Sequence, residues 1–87
     1  MTGAGGLTEA AKASLRRLDT TGHRCPIPVV RTEAALRALP RGAVLEVLAD
    51  DPLAAVDIPH FCRQAGHDVI VERLPSGWRF LVSKAAA

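Results

Sequence analysis

Apolar positions recur along this chain at two spacings, near four and near two, and the switches between them divide it into six elements. Residues 15–19 read as a short first strand that runs into a turn at Gly22. A helix is predicted over residues 28–39, where Val29, Thr32, Leu36 and Leu39 form one stripe with Ala35 beside it. Arg31, Glu33 and Arg37 fall off that stripe and belong to the solvated side. Pro40-Arg41-Gly42 ends the helix, and the Leu-rich, β-branched run at 43–49 follows as a central strand. Asp50-Asp51-Pro52 then reads as a helix start, with an Asp cap and proline at the first helical position. Asp57-Ile58-Pro59 looks like a second start, which predicts a restart or kink. Ile58, Phe61, Cys62 and Ala65 make the apolar stripe of this helix, and Gly66 stops it. A third strand at 67–72, a Pro75-Ser76-Gly77 turn and a fourth strand at 78–83 complete the chain. In the last strand Trp78, Phe80 and Val82 alternate with Arg79, Leu81 and Ser83, the pattern of a half-buried strand.

The order β-α-β-α-β-β predicts an α/β (α+β) two-layer sandwich, with two helices on one face of a four-stranded mixed sheet. Strand–helix–strand units favour parallel pairing with right-handed crossovers, and the final hairpin is antiparallel. The open sheet face is expected to be the more polar. Residues 15–84 form a single domain on this reading, with residues 1–14 a flexible tail and residues 85–87 frayed.

At 87 residues the chain has room for one core. Aromatics supply only 3% of it, so Leu, Val, Ile and Ala must fill that core. A net charge of +2 and few rings for base stacking argue against direct nucleic-acid binding. Basic residues nonetheless exceed acidic ones up to Arg41, and the balance reverses beyond it. The excess flanks Cys25, where it suits a thiolate or an acidic partner. No apolar leader and no membrane-spanning run is visible, so the expected setting is a reducing cytoplasm with both thiols free. The two cysteines form no C-x-x-C pair and the histidines are scattered, so no metal site is expected.

The candidate chemistry lies in Gly22-His23-Arg24-Cys25-Pro26-Ile27-Pro28. Pro26 disfavours helical geometry at Cys25, and Pro28 suits the first turn, so the thiol sits just outside a helix start. Unpaired N–H groups and the helix dipole there favour thiolate over thiol. Cys25 read as a small core residue is the bland alternative, but two prolines and a glycine turn define a backbone rather than fill a core. Cys62 lies on an apolar stripe and reads as core. His23 is placed to assist proton transfer or steady an anion, although a loop histidine is ordinarily just solvated. Arg24 and Arg31 are candidate contacts for a partner or a charged sulfur species. Asp19 and Gly22 read as turn residues. Asp50, Asp51 and Asp57 form a carboxylate cluster in sequence, yet each has a capping explanation.

Leu18-Asp19-x-x-Gly22-x-x-Cys25-Pro26-x-Pro28, Asp50-Asp51-Pro52 and Asp57-Ile58-Pro59-x-Phe61-Cys62, in that order, resemble the TusA (SirA-like) family of small sulfur carriers. The resemblance implies the same β-α-β-α-β-β sandwich and a sulfurtransferase role. The motif cysteine, Cys25 here, would take sulfane sulfur from a cysteine desulfurase or another donor, hold it as a persulfide, and yield it to a downstream acceptor protein. It implies no cofactor beyond that covalent persulfide. Carriers for tRNA thiolation often have Glu between the two prolines, where this chain has Ile27; other members serve sulfur oxidation or cofactor sulfuration. A monomer without membrane attachment is the expected form. Two rival readings stand beside the carrier: a regulatory or interaction module that uses Cys25 only structurally, and a thiol redox protein pairing Cys25 with Cys62.

Overall fold

The computed structural model describes residues 15–85. The tail expected at residues 1–14 and the last two residues lie outside the described ones. The elements run β1 (Leu15–Asp19), α1 (Ile27–Arg37), β2 (Val44–Ala49), α2 (Ala54–Ala65), β3 (Asp68–Leu74) and β4 (Gly77–Ser83). Their order is the one read from the apolar pattern. They build one sheet in the order β1-β2-β4-β3, with β1 and β2 parallel and β4 antiparallel to both of its neighbours. The two helices cover one face of the sheet.

The core forms where the helix stripes meet alternate strand positions. Leu36 from α1 and Ala54, Ile58 and Cys62 from α2 pack on Leu45, Val47, Ala49, Phe80 and Val82. Phe80 faces Val47 on one side and Val71 on the other across the ladder, so it centres the sheet. The expected α1 stripe holds: Thr32 and Leu36 are buried, and Val29, Ala35 and Leu39 are partly so. Pro28 is buried as well. Ala65, expected on the buried stripe of α2, is exposed, and Ala54 and Pro59 are buried instead. The shift arises because the helix turns its face to follow Ile58 and Cys62 at the i, i+4 spacing.

Several expected boundaries move: α1 ends at Arg37 rather than Leu39, β3 runs to Leu74 rather than residue 72, and β4 begins at Gly77. Helix α2 does not restart at Pro59; it is continuous from Ala54 to Ala65, with Pro59 inside and buried. Proline removes only its own N–H, and its fixed φ fits the helix, so the turn survives with one bond missing. Asp51 and Pro52 lie ahead of the helix in a tight turn, where Ala54 N–H bonds Asp51 O (2.9 Å) and Ala55 N–H bonds Pro52 O (3.2 Å). Gly66 ends α2 at φ +85°, a left-handed value that L-residues resist, and His67 N–H reaches back to Cys62 O at 2.8 Å. At the end of α1, Lys84 Nζ donates to the carbonyls of Leu36 and Leu39, adding to the Leu39 N–H that Leu36 O already accepts at 3.1 Å.

The open face carries charge, as its alternating positions require. Glu46, only 6% exposed, accepts from Arg17 Nε at 2.7 Å and from Arg79 Nη1 at 3.1 Å, while Arg79 also pairs with Glu72. The Arg17 hydrogen bond, seconded by Arg79, outweighs desolvation and holds the Glu46 carboxyl below the usual carboxylate range. Folding therefore favours the ionised form. The contribution is complete above the ordinary carboxylate pKa of about 4.3 and is lost as pH falls through the depressed folded value. Glu46→Gln is expected to cost about 2 kcal/mol at neutral pH, with the difference from wild type shrinking in acid. Urea unfolding of both proteins at neutral and acid pH measures it.

Candidate functional site

Parallel pairing of β1 and β2 sends the segments that follow them out of the same sheet edge. Residues 20–26 after β1 and residues 50–53 after β2 therefore meet there, beside the starts of both helices. Thr20, fully buried, fastens the first segment: its N–H and Oγ1 both donate to Leu48 O, at 2.8 and 2.6 Å. Asp19 Oδ1 accepts Thr21 N–H (2.9 Å) and Thr21 Oγ1 (2.6 Å), closing a local turn. Gly22 follows at φ +86°, so the backbone reverses where a side chain would strain it. The turn roles expected of Asp19 and Gly22 are thus the observed ones.

The second segment clasps the first with carboxylates. Asp50 Oδ1 accepts Gly22 N–H at 3.0 Å, and Asp51 Oδ2 accepts Cys25 N–H at 2.7 Å. Asp51 Oδ1 also takes Leu53 N–H at 3.3 Å, a capping-like bond made with its other oxygen. Asp57, in the first turn of α2, accepts the Cys25 thiol: Sγ to Oδ2 is 3.0 Å. A capping role for Asp50 and Asp57 is therefore overturned, and for Asp51 it is half the story. Each carboxylate reaches across to the cysteine loop, because the parallel pair has put that loop's free N–H and S–H groups within range.

Cys25 is exposed, just ahead of α1, whose N-cap is Pro26 and whose start has no side-chain cap. The Cys25–Pro26 peptide is cis. Ile27 N–H bonds Arg24 O at 2.8 Å and Val30 N–H bonds Pro26 O at 3.0 Å, so the loop winds directly into the helix. The expectation that this position favours thiolate is reversed. The Asp57 hydrogen bond above all, then desolvation and the charges of Asp57 and Asp51, push the thiol above its ordinary pKa. A carboxylate within hydrogen-bond range of the sulfur favours the neutral thiol over the thiolate.

Among the other expected residues, His23 contributes its backbone N–H to Thr20 O (3.1 Å) and is half-buried. Arg24 and Arg31 are exposed and join no ion pair among the described residues. Pro28 is buried under the helix start and Pro26 is exposed. Cys62 lies in the core, where burial pushes its thiol up to about 11. A disulfide between the two cysteines would need Cys62 to leave that core.

One component went unread in the sequence. Four of the large apolar side chains the surface exposes are Ile27 (40%), Val30 (53%), Leu53 (56%) and Val56 (65%). All four belong to the opening turns of α1 and α2, the two helix starts that flank Cys25. Each sits at a position that its helix stripe leaves outside the core, which was the available signal. Such a collection marks a contact surface more readily than chance exposure does. Among the described residues no helix is long and apolar enough to cross a membrane.

The family model described as sulfurtransferase TusA matches residues 16–84. Among solved structures, the crystal structure of the SirA-like protein from Desulfitobacterium hafniense superposes with a TM-score of 0.71 at 26% identity, covering 83% of this chain and 99% of that one. The match shares the arrangement described above, two helices on a four-stranded mixed sheet. With a family model spanning nearly the whole described domain, the chain belongs to the TusA sulfurtransferase family, whose members work in sulfur relays between donors and acceptors.

Proposed function

We propose that this protein is a cytoplasmic, monomeric persulfide carrier and that Cys25 is its carrier atom. The observation that supports this most directly is the mount: an exposed thiol on a loop held by Asp50 and Asp51 at a helix start, rimmed by exposed apolar side chains. In loading, Cys25 Sγ attacks the terminal sulfur of a donor persulfide. The new S–S bond forms at Cys25, the donor's S–S bond breaks, and the donor leaves as a thiol carrying the proton released by Cys25. Sulfur is exchanged with no net oxidation. Delivery repeats the exchange with an acceptor thiol, in a tRNA-thiolation, sulfur-oxidation or cofactor-sulfuration route. No cofactor is needed beyond the persulfide itself. A cysteine desulfurase supplied with cysteine is the donor of choice for the test: the chain should gain the mass of one sulfur atom, removable by a reducing thiol. A chain that stays unmodified by every protein donor of sulfane sulfur would point to the regulatory reading instead.

Docking, rather than a deep pocket, confers specificity on this reading, with Ile27, Val30, Leu53 and Val56 as the apolar centre and Arg24 and Arg31 as the charged rim. Leu53→Ser/Val56→Ser removes apolar contact without adding charge, at two positions the fold leaves exposed. The donor concentration for half-maximal loading is expected to rise about tenfold, the equivalent of a modest interface hot spot. Alkylation of Cys25 by iodoacetamide, which needs no docking, should proceed at the wild-type rate.

A further inference from the structure

The charges beside Cys25 in sequence and in space have opposite signs. Arg24 adjoins it along the chain, with His23 before and Arg31 a turn beyond. In the fold, the group that touches its sulfur is Asp57, at 3.0 Å, and the group that holds its backbone N–H is Asp51, at 2.7 Å. Asp50 closes the same side of the loop through Gly22. These carboxylates come from one segment, residues 50–57, laid along the thiol at the start of α2. None of the three is neutralised by an ion pair among the described residues.

We propose that Asp57 is a specificity-determining residue that bars small anionic sulfur compounds from Cys25 and reserves the thiol for sulfane sulfur presented by a docked protein. The inference rests on the persulfide-carrier reading for its biological meaning, but the exclusion itself is a property of the thiol's surroundings. An attacking or attacked sulfur must come within bonding distance of Sγ, and hence within a few ångströms of the Asp57 carboxylate. At that separation each negative charge on the incoming molecule lowers the encounter about fivefold, even at the dielectric constant of water. A dianion such as thiosulfate is penalised twice. A persulfide borne on a protein surface meets the apolar rim first, and contact there offsets the single charge its terminal sulfur can carry, an offset that a small free anion lacks. The thiol's raised pKa is consistent with the same field.

Two alkylating reagents of nearly equal shape read this directly. Iodoacetamide is neutral and iodoacetate is an anion, and both react with the same thiolate. The ratio of their rates on the full-length chain cancels the fraction of thiolate and leaves the charge effect. At low salt, Asp57→Asn is expected to raise the iodoacetate-to-iodoacetamide ratio about fivefold, whereas Asp57→Glu keeps the charge and the wild-type ratio. In the wild type, raising ionic strength from about 0.01 to about 1 M shortens the screening length from about 30 to about 3 Å and should move the ratio toward that of the Asn variant. Thiosulfate alone, its S–S bond breaking as the outer sulfur bonds to Cys25 Sγ and sulfite leaves, should then add sulfur to the Asn variant faster than to the wild type. Equal ratios in wild type and Asp57→Asn at low salt, or a wild-type ratio indifferent to salt, would overturn the proposal. The salt arm needs no variant, so a misfolded substitution cannot hide the answer. Desulfurase loading is scored separately: its failure removes the carrier reading and leaves the alkylation ratios standing.

Discussion

Cys25→Ser is expected to abolish sulfur loading, by at least a thousandfold in rate, while leaving the fold intact. A serine hydroxyl has no sulfur with which to form the S–S bond, and its oxygen can still donate to Asp57 in place of the thiol. Position 25 is exposed, so no packing is lost. Cys62 cannot take over. It is fully buried, and with its thiol pushed up to about 11 the thiolate at neutral pH is on the order of one part in ten thousand. Intact-mass measurement after incubation with a cysteine desulfurase and cysteine should show one added sulfur on wild type and none on the variant. A Cys25→Ser chain that still gained a sulfur atom would reassign the carrier role to Cys62. The redox reading makes a different forecast for the wild type, an intramolecular disulfide after mild oxidation.

Phe80→Ala is expected to destabilise the domain by about 3–5 kcal/mol. Phe80 is 0% exposed, lies on a central strand and belongs to the core cluster that also holds Leu36 of α1 and Ala54, Ile58 and Cys62 of α2. Truncation loses the transfer energy of the ring and leaves a cavity that a sheet, tied on both sides by ladder hydrogen bonds, cannot easily close. A domain of this size holds roughly 4–12 kcal/mol in total, so one substitution consumes a large share of it. Thermal unfolding by circular dichroism should show the midpoint fall by about 15–30 °C. A drop of only a few degrees would mean that Trp78, partly buried on the same strand, refills the space.

Much of this architecture was legible in the chain because the responsible physics is local. Strand β1 was placed to the residue, and the α1 stripe of Thr32 and Leu36 follows from helical spacing alone. Where local signals failed, the partner lay far along the chain. Asp50, Asp51 and Asp57 each precede a proline or a helix turn, the very context of a cap, yet their partners Gly22 and Cys25 are 28, 26 and 32 positions away. The missing step was topological. Parallel pairing of β1 and β2 was itself expected, and it places the two loops at one sheet edge. Free N–H and S–H donors on one loop and carboxylates on the other could then have been matched. Thr20 was missed for a related reason: a threonine after a strand looks like a turn residue until Leu48 O is found beside it. The cis peptide before Pro26 leaves no mark on periodicity at all.

Strand β4 is the last of the described elements to be synthesised, yet it sits inside the sheet between β2 and β3. Until it emerges, β2 has an unpaired edge lined by Val47 and Leu45, and β3 has nothing to pair with. Lys84, which closes the end of α1, arrives later still. On the ribosome the sheet is therefore completed only when this last strand emerges, a topology that favours late, cooperative closure. The Asp57–Cys25 contact is held by elements that all precede β4 but rest on a sheet that β4 completes, so the guarded thiol is a property of the closed sheet rather than of the cysteine loop alone.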